Sequence, residues 1–75
     1  MTYQEIKMIM RAKARLANGL VNLLKDDTEQ ICIDVDDFDM FNLGESLRDA
    51  KRTAQQLIDT VNELERGLRL AKRDA

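Results

Sequence analysis

From Leu43 to Ala71 the apolar residues recur in unbroken alternating steps of four and three, and this run constrains the chain more than any other feature. Leu47, Ala54, Val61 and Leu68 take the a positions of a heptad, and Leu43, Ala50, Leu57, Leu64 and Ala71 the d positions. A 3.5-residue period keeps one seam of a helix turned toward a partner helix, so the pattern predicts a packed helix over about 43–73. Arg48, Gln55, Asn62 and Arg69, on the far side of the seam, are polar. Asn42, with Glu45 three residues on, is the expected cap. No proline occurs among the 75 residues to break a helix.

A second helix is predicted over about 3–25. Thr2 and Glu5 fit a capping box, and Met1 and Ile6 the positions of a hydrophobic staple. Ile6, Ile9, Met10, Leu16, Ala17, Leu20, Leu23 and Leu24 then form one apolar stripe, widened by Met8 and Val21. Gly19 interrupts it, either as a point of close approach or bending or as a tolerated glycine. Lys13 lies near the stripe, where its stem can run along apolar surface to a charged end in water.

Charge divides the chain into three parts: +4 over residues 3–25, −7 over 26–39 and +1 over 43–75. The acidic part reads as a long connector over 26–41. Within it Ile31, Ile33 and Val35 alternate with Cys32, Asp34 and Asp36, so residues 31–35 are either a short extended stretch or irregular loop. Phe38 and Phe41 are expected to plug the end of the helical core. The fold class that follows is all-α: a two-helix antiparallel hairpin forming one domain over 1–75.

One copy of such a hairpin holds more apolar surface than a single seam hides, since Ile58 and Leu70 fall off the a/d stripe and the first helix is apolar over a broad arc. Pairing two hairpins into a four-helix-bundle-like homodimer, or a higher oligomer, removes that surface from water. The residues expected to carry self-association are Leu47, Ala50, Ala54, Leu57, Ile58, Val61, Leu64 and Leu68.

Composition argues against catalysis. Histidine is absent and Cys32 is the lone cysteine, so the usual nucleophile–base pairs cannot be assembled; Cys32 reads as a small buried hydrophobe. Asp34, Asp36 and Glu45 match positions 1, 3 and 12 of a calcium loop, but Phe38 and Asp39 stand where a ligand and the turn glycine belong. Neither a metal nor a cofactor is therefore expected. No apolar run approaches membrane-spanning length, and Met1-Thr2-Tyr3-Gln4-Glu5 has no signal-peptide character, so a cytoplasmic protein away from membranes is expected.

The function these residues suggest is binding. Asp34, Asp36, Asp37 and Asp39, set among Phe38 and Phe41, suit docking against a basic surface on a larger protein, with charge steering the encounter and the aromatics making the buried contact. An inhibitor or regulator acting through the acidic connector is the leading expectation. Two alternatives use the basic residues. Lys7, Arg11 and Arg15 step by four along one helical face, and Arg66, Arg69 and Arg73 line another, which suits a nucleic-acid backbone or an oligomeric sponge for a small anionic ligand. In favour of nucleic acid, the architecture resembles the Rop family of plasmid RNA regulators, to which Met1-Thr2-Tyr3-Gln4-Glu5 and Glu45-Ser46-Leu47-Arg48-Asp49 are similar in sequence. That likeness implies a four-helix dimer binding RNA with one helix pair. The long acidic connector departs from the family's tight turn.

Overall fold

A computed structural model describes residues 2–74. The chain forms two helices, α1 (Tyr3–Asp36) and α2 (Met40–Asp74), packed antiparallel as a hairpin. At 1.5 Å per residue each helix is about 50 Å long, and the molecule measures 54 × 14 × 12 Å. No helix among the described residues is long and apolar enough to cross a membrane.

Thr2 caps α1, its hydroxyl accepting from the backbone N–H of Glu5 at 3.2 Å. The staple contact from Met1 lies outside the described residues. Gly19 meets nothing within 4 Å of where a Cβ would stand, so it is a tolerated glycine on an exposed surface and not a point of close approach.

The acidic connector expected over 26–41 is a correction. Residues 26–36 continue α1, leaving only residues 37–39 between the helices, and the extended stretch expected at 31–35 is helical. The physical reason is backbone satisfaction: a lone strand leaves its N–H and C=O groups unpaired, whereas a helix pairs them internally. The seam also accepts the segment. On α1 the residues turned toward α2 are Ile6, Met10, Lys13, Ala17, Leu20, Leu24, Asp27, Ile31 and Asp34, all buried or half-buried. Their steps of four and three run through the acidic segment without a break.

Asp27 and Asp34 are tolerated in this seam because α2 offers hydroxyls at the same levels. Thr53 Oγ1 donates to Asp27 Oδ2 at 2.9 Å. Ser46 Oγ donates to Asp34 Oδ2 at 2.6 Å, while Gln30 Nε2 donates to Oδ1 at 2.9 Å. Asp34 is only 3% exposed, and bonded polar groups of this kind are what a buried carboxylate requires.

The α2 seam is turned by one heptad position from the expected a/d stripe. Leu43, Ala50, Leu57 and Leu64 at d do face α1, but their companions are the g positions Ser46, Thr53, Thr60 and Gly67. Gly67 permits the close approach that the helices need at the open end of the hairpin: a Cβ there would stand 2.8 Å from Met10 Cγ. Small polar residues at g draw the helices together, and the a residues Leu47, Val61 and Leu68 are left beside the seam, each more than 40% exposed.

Candidate functional site

The three-residue link closes α1 with a Schellman motif. Asp39 N–H donates to Asp34 O at 2.9 Å and Phe38 N–H to Val35 O at 3.1 Å, while Asp37 N–H reaches Ile33 O at 2.9 Å. Phe38 occupies the left-handed position of that motif, at φ 56°, where glycine is the usual residue. Asp39 opens α2, its Oδ1 accepting from Asn42 N–H at 3.2 Å and its backbone carbonyl from Leu43 N–H. Asp39 therefore fills the capping role expected of Asn42, whose side-chain amide instead donates to Asp39 Oδ2 at 2.6 Å.

Phe38 and Phe41 do not plug the core. They are 80% and 76% exposed at the tip, with Met40 between them at 56%. Around them stand Asp36, Asp37 and Asp39, and the last turn of α1 contains no base. Of the six residues expected to meet a partner, five gather here. Asp34 is the exception: its carboxylate points inward to Ser46 and Gln30, which removes it from the docking set. Cys32, expected to be buried, is exposed on the outside of α1, because extending the helix turned it away from the seam.

The basic residues collect at the opposite end. Lys7, Arg11, Lys13 and Arg15 near the start of α1 lie alongside Arg66, Arg69, Lys72 and Arg73 near the end of α2, since the helices are antiparallel. Arg66, Arg69 and Arg73, with Leu70 and Lys72, border a shallow open recess. Arg69 stands 3.8 Å from Glu65. Lys13 Nζ is 2.6 Å from Glu63 Oε2 across the seam, and this bonded ammonium holds the Glu63 carboxyl below its ordinary range. In the half at the open end (residues 2–20 and 60–74) eight bases meet four acids; in the half holding the tip (residues 21–59) four bases meet ten acids, so the hairpin runs from +4 to −6 along its length.

The residues expected to drive self-association separate into three groups. Ala50, Leu57 and Leu64 are half-buried in the seam within one chain, and Ile58 is on the outer surface at 53% exposure. Leu47, Ala54, Val61 and Leu68 form a row flanking the seam, extended toward the tip by Met40. Sequence reasoning missed the matching row on α1. Leu68 shares a groove with Lys7 and Ala14, and at seven-residue steps from these come Val21, Thr28 and Val35. Eight of the ten positions in the two rows are apolar. The opposite flank, where Ile9 and Leu16 lie beside Glu63, Gln56 and Leu70, has four apolar residues in nine. The α1 row repeats every seven residues through the acidic segment, a pattern that emerges only when that segment is helical.

No protein-family model, curated protein or solved structure matches the chain.

Proposed function

We propose that this protein is a non-enzymatic, self-associating binding protein that docks its acidic, aromatic tip onto a basic surface of a larger protein, as an inhibitor or regulator. The observation that carries the reading is Phe38, an aromatic held at a glycine's backbone conformation with four-fifths of its surface in solvent. A left-handed non-glycine residue costs about 1–2 kcal/mol, and acids at a helix C-terminus oppose the helix dipole. Local rules broken together at one place, with no gain to the fold, mark a site kept for something outside it. Asp36, Asp37 and Asp39 supply steering, and Phe38 and Phe41 supply anchors of the kind that dominate protein interfaces.

The test is capture from nuclease-treated host extract, comparing the natural chain with a Phe38→Ala/Phe41→Ala variant. Retained partner should fall at least ~10-fold in the variant, the loss typical of removing interface anchors. Arg66→Glu/Arg69→Glu should leave capture intact. A second reading, binding of nucleic acid or a small anion, is favoured by one observation, the gathering of eight bases at the open end. It requires the reverse outcome: loss on reversing Arg66 and Arg69, none at the tip, and for nucleic acid a log-linear fall in affinity with salt.

A further inference from the structure

We propose that two copies pair through the apolar face formed by the Val21 and Val61 rows, and that they pair antiparallel, with each tip at the open end of the other copy. The inference rests on the self-associating reading above and adds the face, the orientation and its consequence. Three observations carry it.

The first is area. The chain exposes 5919 Å², whereas a compact monomer of its 8.6 kDa exposes about 4,700 Å². The excess of about 1,200 Å² is more than the roughly 800 Å² that each partner hides in a standard interface. The second is where apolar surface lies: Val21, Val35, Leu47, Val61 and Leu68, each 43–50% exposed, share one face that runs almost the length of the hairpin. The third is charge. A two-fold axis along the hairpin would place two acidic tips together and two basic ends together. An axis across it sets the −6 half of one copy over the +4 half of the other, bringing Lys7 and Arg11 near Asp36 and Asp37 of the second copy. Opposite charge is favoured and like charge is penalised across an interface, so complementarity selects the second arrangement.

Seven-residue repeats on both rows fit that orientation. With the axis crossing α1 between Val21 and Thr28 and α2 between Ala54 and Val61, Leu47 of each copy meets Leu68 of the other, and Ala54 meets Val61. Phe41 follows Met40 by one residue, about 100° round α2, and so lies off this face. The assembled protein is then a bar with a docking tip at each end, able to bridge two partner molecules or two sites on one, with the gain in avidity that two tethered sites bring.

Spin labels placed by Phe38→Cys in a Cys32→Ser background test the orientation by electron–electron distance measurement on the full chain. Antiparallel pairing predicts a separation on the order of the 54 Å length of the molecule. A separation of about 20 Å or less, the scale of neighbouring helices, would overturn the orientation and leave self-association standing. Sedimentation of the unlabelled chain addresses the reading beneath it, since a single folded subunit at high micromolar concentration defeats both. Raising salt from 0.05 to 1 M should weaken the dimer several-fold as the end-to-end attraction is screened. Val61→Glu should abolish pairing. If that variant also loses helicity by circular dichroism, the label distance in the natural face still decides the question.

Discussion

Phe38 ties the local backbone to the proposed activity, and its replacement separates the two. Phe38→Gly removes the left-handed penalty without uncovering any core, because the ring is already in solvent. Stability should rise by about 1 kcal/mol, seen as an increase of roughly 4–8 °C in Tm, while partner capture falls. A gain in stability together with undiminished capture would defeat the role assigned to the ring. The glycines give a second contrast. Gly19→Ala should stabilise by about 0.5–1 kcal/mol, since the site is open and helical. Gly67→Ala should not share that gain, because the added methyl meets Met10; equal melting shifts in the two variants would contradict the close approach. A third residue-scale consequence concerns Glu63. Its carboxyl is depressed by the bonded Lys13 ammonium, so the pair stabilises the fold above the carboxyl's unfolded pKa, and that contribution disappears as pH falls through the lower folded value. Lys13→Gln should return the Glu63 titration, followed by NMR, toward its ordinary position.

At the scale of the helices, what joins α1 to α2 is a mixed seam with few large side chains. Ile6 and Leu20 are the only apolar residues in the fully buried class among those described, and Asp34, Ser46 and Thr60 are buried beside them. The seam thus depends on matched hydrogen bonds as well as apolar area. Asp34→Ala should cost about 1–3 kcal/mol by stranding the Ser46 hydroxyl, whereas Asp34→Leu with Ser46→Ala should be neutral or stabilising. Denaturant unfolding of Asp34→Leu, of Ser46→Ala and of the double variant would measure the coupling, and an additive result would mean that the bond contributes nothing. These polar pairs also set register. Slipping one helix against the other by a turn would bring Asp27 and Asp34 opposite Leu57 and Ala50 in place of hydroxyls.

Across the whole molecule, charge is the organising quantity. The near-neutral total of −2 conceals a basic half and an acidic half on a 54 Å body. In the antiparallel pair the two dipoles oppose each other, but each end keeps a net −2, so an approaching basic surface is still drawn to the acids of the tip. Asp36→Asn/Asp37→Asn should therefore slow association with a partner on the order of 10-fold at low salt and leave dissociation little changed, as measured by surface plasmon resonance. In the single subunit, below the concentration at which copies pair, the same substitutions should raise stability by about 0.5 kcal/mol per site, since they remove acids from a helix C-terminus.

Much of the architecture was legible in the residues themselves. Periodicity and the missing proline specify two helices; Thr2 and Glu5 mark where the first begins; and the heptads of α2 show that it packs against another helix. Those properties are local, settled by backbone hydrogen bonding and side-chain spacing within a few turns. The second half of α1 was not legible by the same logic. Asp27 and Asp34 break an apolar stripe when α1 is considered alone, and only the hydroxyls of Thr53 and Ser46, 26 and 12 residues away, make them seam residues. Which row of α2 faces inward was decided in the same way, because helices approach along their smallest side chains when the partner's groups can be satisfied there. A carboxylate's place, inside or at the surface, depends on who meets it, and that is a property of the assembled pair.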